Sequence, residues 1–75
     1  MPHIDIKCYP KHLTEQEQDT FVHELTALVE KHLKATDADL SVAYTEVAPE
    51  QWRDLYDREI RPNLGTLIKK PGYEM

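Results

Sequence analysis

The chain has 75 residues, 40% of them hydrophobic, and a formal net charge of −5. That length admits one domain, residues 1–75, which buries only ~60% of its unfolded surface and is marginal on its own. An acidic chain without a basic stripe argues against nucleic acid as a partner, and no apolar run approaches the ~18 residues a membrane span needs.

Met1-Pro2 leads directly into His3-Ile4-Asp5-Ile6-Lys7-Cys8. Ile4, Ile6 and Cys8 alternate with His3, Asp5 and Lys7, which predicts a half-buried strand over 2–8. Tyr9-Pro10 ends it, because proline has no ladder donor. The small residue after the initiator lets Met1 be removed, and the Pro2 nitrogen then changes from an amide into a secondary amine that accepts a proton. No apolar leader precedes the strand, and Cys8 is the one cysteine, so the expected location is a reducing cytoplasm.

Thr14-Glu15-Gln16-Glu17 matches a capping box, with Thr14 as N-cap and Glu17 three residues on. Phe21, Val22, Leu25, Leu28, Val29 and Leu33 follow at helical spacing, with Asp19, His23, Glu24, Glu30, Lys31 and Lys34 filling the other face. The pattern predicts an amphipathic helix over 14–34. Residues 35–39 form a polar connection, and Leu40–Val47 reads as a second strand rich in β-branched and aromatic residues. Strand, helix, strand is a βαβ unit with parallel strands and a right-handed crossover, which makes the fold class α/β (α+β).

Pro49 suits the first turn of a further helix over 50–60, with Trp52, Leu55, Tyr56 and Ile60 as its apolar stripe. Pro62 is expected to stop it by pushing Arg61 out of helical geometry. Leu64, Leu67 and Ile68 suggest one more short helical piece, and residues 69–73 a turn and a C-terminal arm. Two parallel strands leave both sheet edges unpaired. With no disulfide framework and no metal-ligand cluster, self-association is the remaining route to a full core, and a homodimer sharing one sheet is the expected assembly.

A general base must be neutral at working pH, with a pKa near ambient. An ordinary α-amino group sits at ~7.7–8.0, and burial or a nearby cation lowers an amine's value. Trp52 reads either as the apolar wall of a pocket for the Pro2 amine or as helix-packing core. Lys11 and His12 after the first strand, and Lys69 and Lys70 in the arm, are the cations that could depress the amine and hold a substrate carboxylate, or else a solvated loop and a dimer-contact or surface pair. Cys8 reads as buried in the sheet, and His3, His23 and His32 as surface residues. Tyr44 reads either as core or as pocket lining. A proton shuttle of this kind requires no cofactor.

The Met1–Cys8 start, the capped helix, Thr45-Glu46-Val47 at the end of the second strand, Pro49-Glu50-x-Trp52 and the ending Leu67-Ile68-Lys69-Lys70-Pro71-Gly72-Tyr73 together resemble the 4-oxalocrotonate tautomerase family, in its PptA-type branch. The resemblance covers nearly the whole chain. It implies a homodimeric keto–enol tautomerase that acts on enols of 2-oxo acids such as phenylpyruvate, with Pro2 as general base. Two arginines that hold substrate carboxylates in that family fall on His12 and Ser41 here, and a pocket aromatic falls on Trp52. Their loss disfavours dicarboxylates and suits a monoacid with a hydrophobic or aromatic tail. The alternative reading is a non-catalytic binding module on the same scaffold.

Overall fold

A computed structural model describes residues 1–75. Strand β1 (His3–Cys8) is followed by helix α1 (Glu15–Leu33), strand β2 (Ser41–Glu46) and a short helix α2 (Trp52–Leu55). A tight turn over Pro49–Gln51 leads into α2, and a wide turn over Tyr56–Ile60 with a tight one over Arg61–Asn63 leads out. The two strands pair in parallel, with His3 opposite Ser41 and Cys8 opposite Glu46. The ladder is closed at both ends: the Ser41 N–H donates to the Pro2 carbonyl at 3.2 Å, and the Val47 N–H to the Cys8 carbonyl at 2.8 Å. The βαβ reading is thus the observed topology.

Helix α1 starts where its capping box says it should. The Glu17 N–H donates to Thr14 Oγ1 at 3.1 Å, and the Thr14 N–H donates to Glu17 Oε1 at 3.0 Å. Two orphan donors of the first turn are satisfied reciprocally. Glu15 and Glu17 lie at the positive end of the helix dipole and Lys31 and His32 at the negative end. The helix closes at Lys34, held in the left-handed region at φ 54°. Gln18 of α1 lines a cleft with Tyr44 and Glu46, so the helix lies on that face of the sheet. The segment after β2 covers the opposite face, where the Lys7 ammonium sits 2.9 Å from Glu59.

Two expectations fail after α2. Arg61 stays helical, at φ −54° and ψ −48°, despite preceding Pro62. The Arg61 N–H donates to the Tyr56 carbonyl, five residues back, instead of four. A turn widened in this way moves the carbonyl that the proline ring would strike, so the chain continues through Pro62. The expected helical piece over 64–68 is absent. Residues 64–66 form a turn, and the Thr66 and Leu67 N–H groups both donate to the Asn63 carbonyl.

The chain alone buries little. Val29, Leu55 and Tyr56 are its buried hydrophobic residues, while Phe21, Val22, Leu28, Leu33 and Ile68 are exposed. The accessible surface is 6123 Å², against roughly 4,800 Å² for a compact folded monomer of this mass. The radius of gyration is 14.3 Å, against about 11 Å for a compact domain of this length. No helix is long and apolar enough to cross a membrane.

Thr14→Ala removes one half of the capping box and is expected to destabilise the fold by ~1 kcal/mol. A urea titration should show a lower midpoint with an unchanged slope; an unchanged midpoint would mean the cap is dispensable.

Candidate active site

The two ends of β1 carry different chemistry. At its start, the Ser41 N–H fixes the Pro2 carbonyl, and the ring is half-buried. His3 Nδ1 lies 2.7 Å from the Ser41 hydroxyl, so Ser41 is engaged with the imidazole beside Pro2. Met1 is fully exposed and buries no surface, so the strand does not depend on it.

At the far end of β1 an apolar cavity of about 540 Å³ opens, lined by Lys7, Cys8, Tyr9, Trp52, Tyr73 and Met75. Tyr9 meets Trp52 edge-to-face, with ring centroids 5.4 Å apart. The Trp52 indole N–H donates to Tyr73 Oη at 2.9 Å, which uses the one polar atom of that side chain and fixes its plane. Tyr73 in turn packs at 5.8 Å on Tyr56. Lys7 is the one cationic side chain in the lining, and it is already committed. Its hydrogen bonds to Glu59 and Asp5 hold its pKa above the ordinary lysine value.

Cys8 is half-buried and belongs to this cavity, so it is less enclosed than its strand position implies. Its thiol donates to Tyr44 Oη at 3.4 Å, and the Tyr44 hydroxyl donates to Glu46 Oε2 at 3.1 Å. The same Glu46 oxygen accepts the Lys11 N–H at 3.0 Å. The Cys8 bond, loss of water around the ring, and the bond to Glu46 together push the Tyr44 phenol well above its ordinary range. The Lys11 N–H, then the Tyr44 hydroxyl, hold the Glu46 carboxyl below the usual carboxylate value. Tyr44 is therefore a clasp between the strand end and the loop.

Of the four residues singled out from sequence, the structure brings only Trp52 to this cavity. Lys11 is exposed, and its backbone rather than its ammonium is engaged. His12, held at φ 53°, lines a separate cleft of about 370 Å³ with Leu13, Gln18, Tyr44 and Glu46. Pro2 and Cys8 are separated by the length of β1, about 20 Å at ~3.3 Å per residue. Lys69 and Lys70 are exposed and make no ion pair. Sequence reasoning missed Tyr9, Tyr73 and Lys7. The Tyr-Pro pair after β1 read only as a strand stop, and residues 69–73 as a turn and a C-terminal arm whose lysines, not Tyr73, drew notice.

The sequence model of the family described as "Tautomerase enzyme" matches residues 2–53. Over its full length the chain is similar to proteins named Tautomerase PptA. It is 45% identical over 75 residues to the one from Escherichia coli (strain SMS-3-5 / SECEC), with 100% of both chains covered. It is 49% identical over 76 residues to that of Cronobacter sakazakii (strain ATCC BAA-894), again covering 100% of each. The Shigella sonnei (strain Ss046) protein of the same name is 44% identical with the same coverage.

The lowered Glu46 value has a consequence in acid. A carboxylate whose folded pKa lies below its unfolded ~4.3 contributes stability above that pH and loses it as pH falls through the folded value. Glu46→Gln is thus expected to destabilise the protein at neutral pH, with the gap to wild type closing below about pH 4. Urea midpoints measured across that range test this; a gap independent of pH would remove the charge from the clasp.

Proposed function

The chain belongs to the tautomerase family and is a tautomerase-type isomerase, and from that premise we propose that it interconverts the enol and keto forms of aryl-bearing 2-oxo acids, phenylpyruvate among them, with the Pro2 amine as general base. The observation that carries the substrate reading is the cavity itself, whose lining is aromatic or apolar except for one ion-paired lysine. It suits a flat aryl tail far better than a second carboxylate. The names that the relatives carry favour an enzyme over a binding module on the same scaffold.

In the proposed reaction, removal of Met1 frees the Pro2 nitrogen. The neutral amine takes the proton of the substrate's 2-hydroxyl as electrons move toward C3, and the ammonium so formed returns a proton to C3. One O–H and one C=C bond are lost, one C–H and one C=O bond are gained, and the amine ends as it began. The catalyst needs one lone pair and a dry cavity that keeps it uncharged. Lys11 and His12 remain the proposed partners for the substrate carboxylate.

A single chain keeps its base and its cavity at opposite ends of β1, so we place the complete site in a homodimer. Pairing the free edge of β1 antiparallel to that of a second copy, centred on the strand, sets each Pro2 beside Tyr9 of the partner subunit. It would also bring the exposed Phe21, Val22, Leu28 and Leu33 of α1 on both copies to one side of a four-stranded sheet. The excess surface supports this assembly. The chain exposes 6123 Å², about 1,300 Å² more than a compact monomer. Two chains would therefore bury about 2,600 Å², which is within the range of obligate homodimers.

The ketonisation of phenylenolpyruvate, followed in the ultraviolet, tests the chemistry. Pro2→Ala, and a form that keeps Met1 by intact mass, should each lose at least about 100-fold in kcat/KM with unchanged circular dichroism. Activity of the Met1-bearing form equal to wild type would end the amine mechanism. Sedimentation should find two chains, and mixing Pro2→Ala with Trp52→Ala subunits should restore activity if each site takes residues from both.

A further inference from the structure

The segment 68–75 is held in an unusual way. No backbone–backbone hydrogen bond reaches it, the last such donor being the Leu67 N–H. Side chains from α2 and the turns after it do the holding. Trp52 donates its indole N–H to Tyr73 Oη at 2.9 Å, and Tyr56 packs its ring against Tyr73. Arg61 hydrogen-bonds the Met75 carbonyl. Arg61 is itself positioned twice, by Asp57 at 3.0 Å and by stacking 4.9 Å over the Tyr56 ring. Tyr73 and Met75 are also two of the six cavity-lining residues. One wall of the cavity is thus a strap pinned by three side-chain contacts, while Cys8 and Trp52 belong to a strand and a helix.

We propose that this strap is the specificity element of the site, with Tyr73 as the residue that fits the cavity to an aryl substituent and Arg61 as the residue that positions the strap. This rests on the tautomerase reading above. Tyr73 Oη accepts from Trp52, and that bond keeps the Tyr73 ring at the cavity mouth. Tyr9, Trp52 and Tyr73 then present three rings to whatever enters. A small enol such as enolpyruvate has no group that reaches this wall, whereas the ring of an arylenolpyruvate does. The strap should therefore act on the affinity for one substrate class and leave the proton transfer alone.

The test compares two substrates in the full-length protein, phenylenolpyruvate and enolpyruvate released from its phosphate in the assay. Tyr73→Ala should raise KM for the aryl enol about tenfold, the scale of losing part of an apolar pocket, with kcat little changed. Its kcat/KM for enolpyruvate should fall less, so that the aryl-to-small ratio drops several-fold, while an unchanged circular dichroism spectrum reports an intact fold. Tyr73→Phe keeps the ring and removes the Trp52 bond, so it should give a smaller rise in the same direction, as should Arg61→Ala, which frees the strap. Equal losses on both substrates, or no loss on either, overturn the proposal. Wild type inactive on both enols would instead overturn the tautomerase chemistry beneath it. Should Tyr73→Ala fail to fold, Tyr73→Phe with an aryl-to-small ratio equal to wild type is sufficient to sink the idea.

Discussion

The parallel ladder between β1 and β2 is the constraint on which the other features depend. Its register closes on the Pro2 carbonyl at one end and on the Cys8 carbonyl at the other. Fixing both ends sets the strand length, and the strand length sets the distance between the proposed base and the aromatic cavity. It also fixes which side chains share a face: Tyr44, Cys8 and Glu46 meet because the register makes them neighbours. A sheet of two strands leaves both of its edges open. The exposed stripe on α1 and the large radius of gyration express the same incompleteness.

What the sequence made legible was what local chemistry decides. Thr14 and Glu17 announce the start of α1 because a capping box is a contact three residues apart, and alternation announces β1 because one face of it is covered. Pro62 misled because the rule against helical geometry before proline is a local preference. Here a widened turn, with Tyr56 and Leu55 buried beneath it, outweighed that preference. The cavity was only partly legible. Trp52 was visible as a large apolar residue, a pocket wall or helix core, but Tyr9 and Tyr73 lie 64 positions apart in sequence and meet around Trp52 only after folding. Lys7 read as a solvent-facing residue, and its pairing with Glu59 is a long-range contact that no periodicity encodes.

The widened turn and the cavity are linked by more than proximity. Adding a residue to the turn rotates the chain beyond it, so that Arg61 comes to lie over Tyr56 and reaches Met75, while its pair with Asp57 keeps the ordinary i,i+4 spacing. A regular α-turn through the same residues would present Arg61 about 100° away around the axis, given 3.6 residues per turn. Wide turns of this kind recur where a helix must redirect a side chain, often at functional sites. The irregularity that defeated the sequence rule is therefore also what anchors the cavity wall.

The weak cationic character of the cavity bears on how the proposed base could work. Ser41 is bonded to His3, and the one cavity lysine is paired with Glu59 and Asp5. Desolvation is then the main means left for lowering the amine's affinity for a proton. In the proposed dimer the Tyr9 and Trp52 rings would therefore do two things at once, receiving the aryl tail and excluding the water that would stabilise an ammonium. Affinity and base strength would be coupled through Trp52 and Tyr9, while Tyr73 acts on affinity alone. A bound aryl group, by displacing the remaining water, would favour the neutral amine most strongly in the complex where the lone pair is needed.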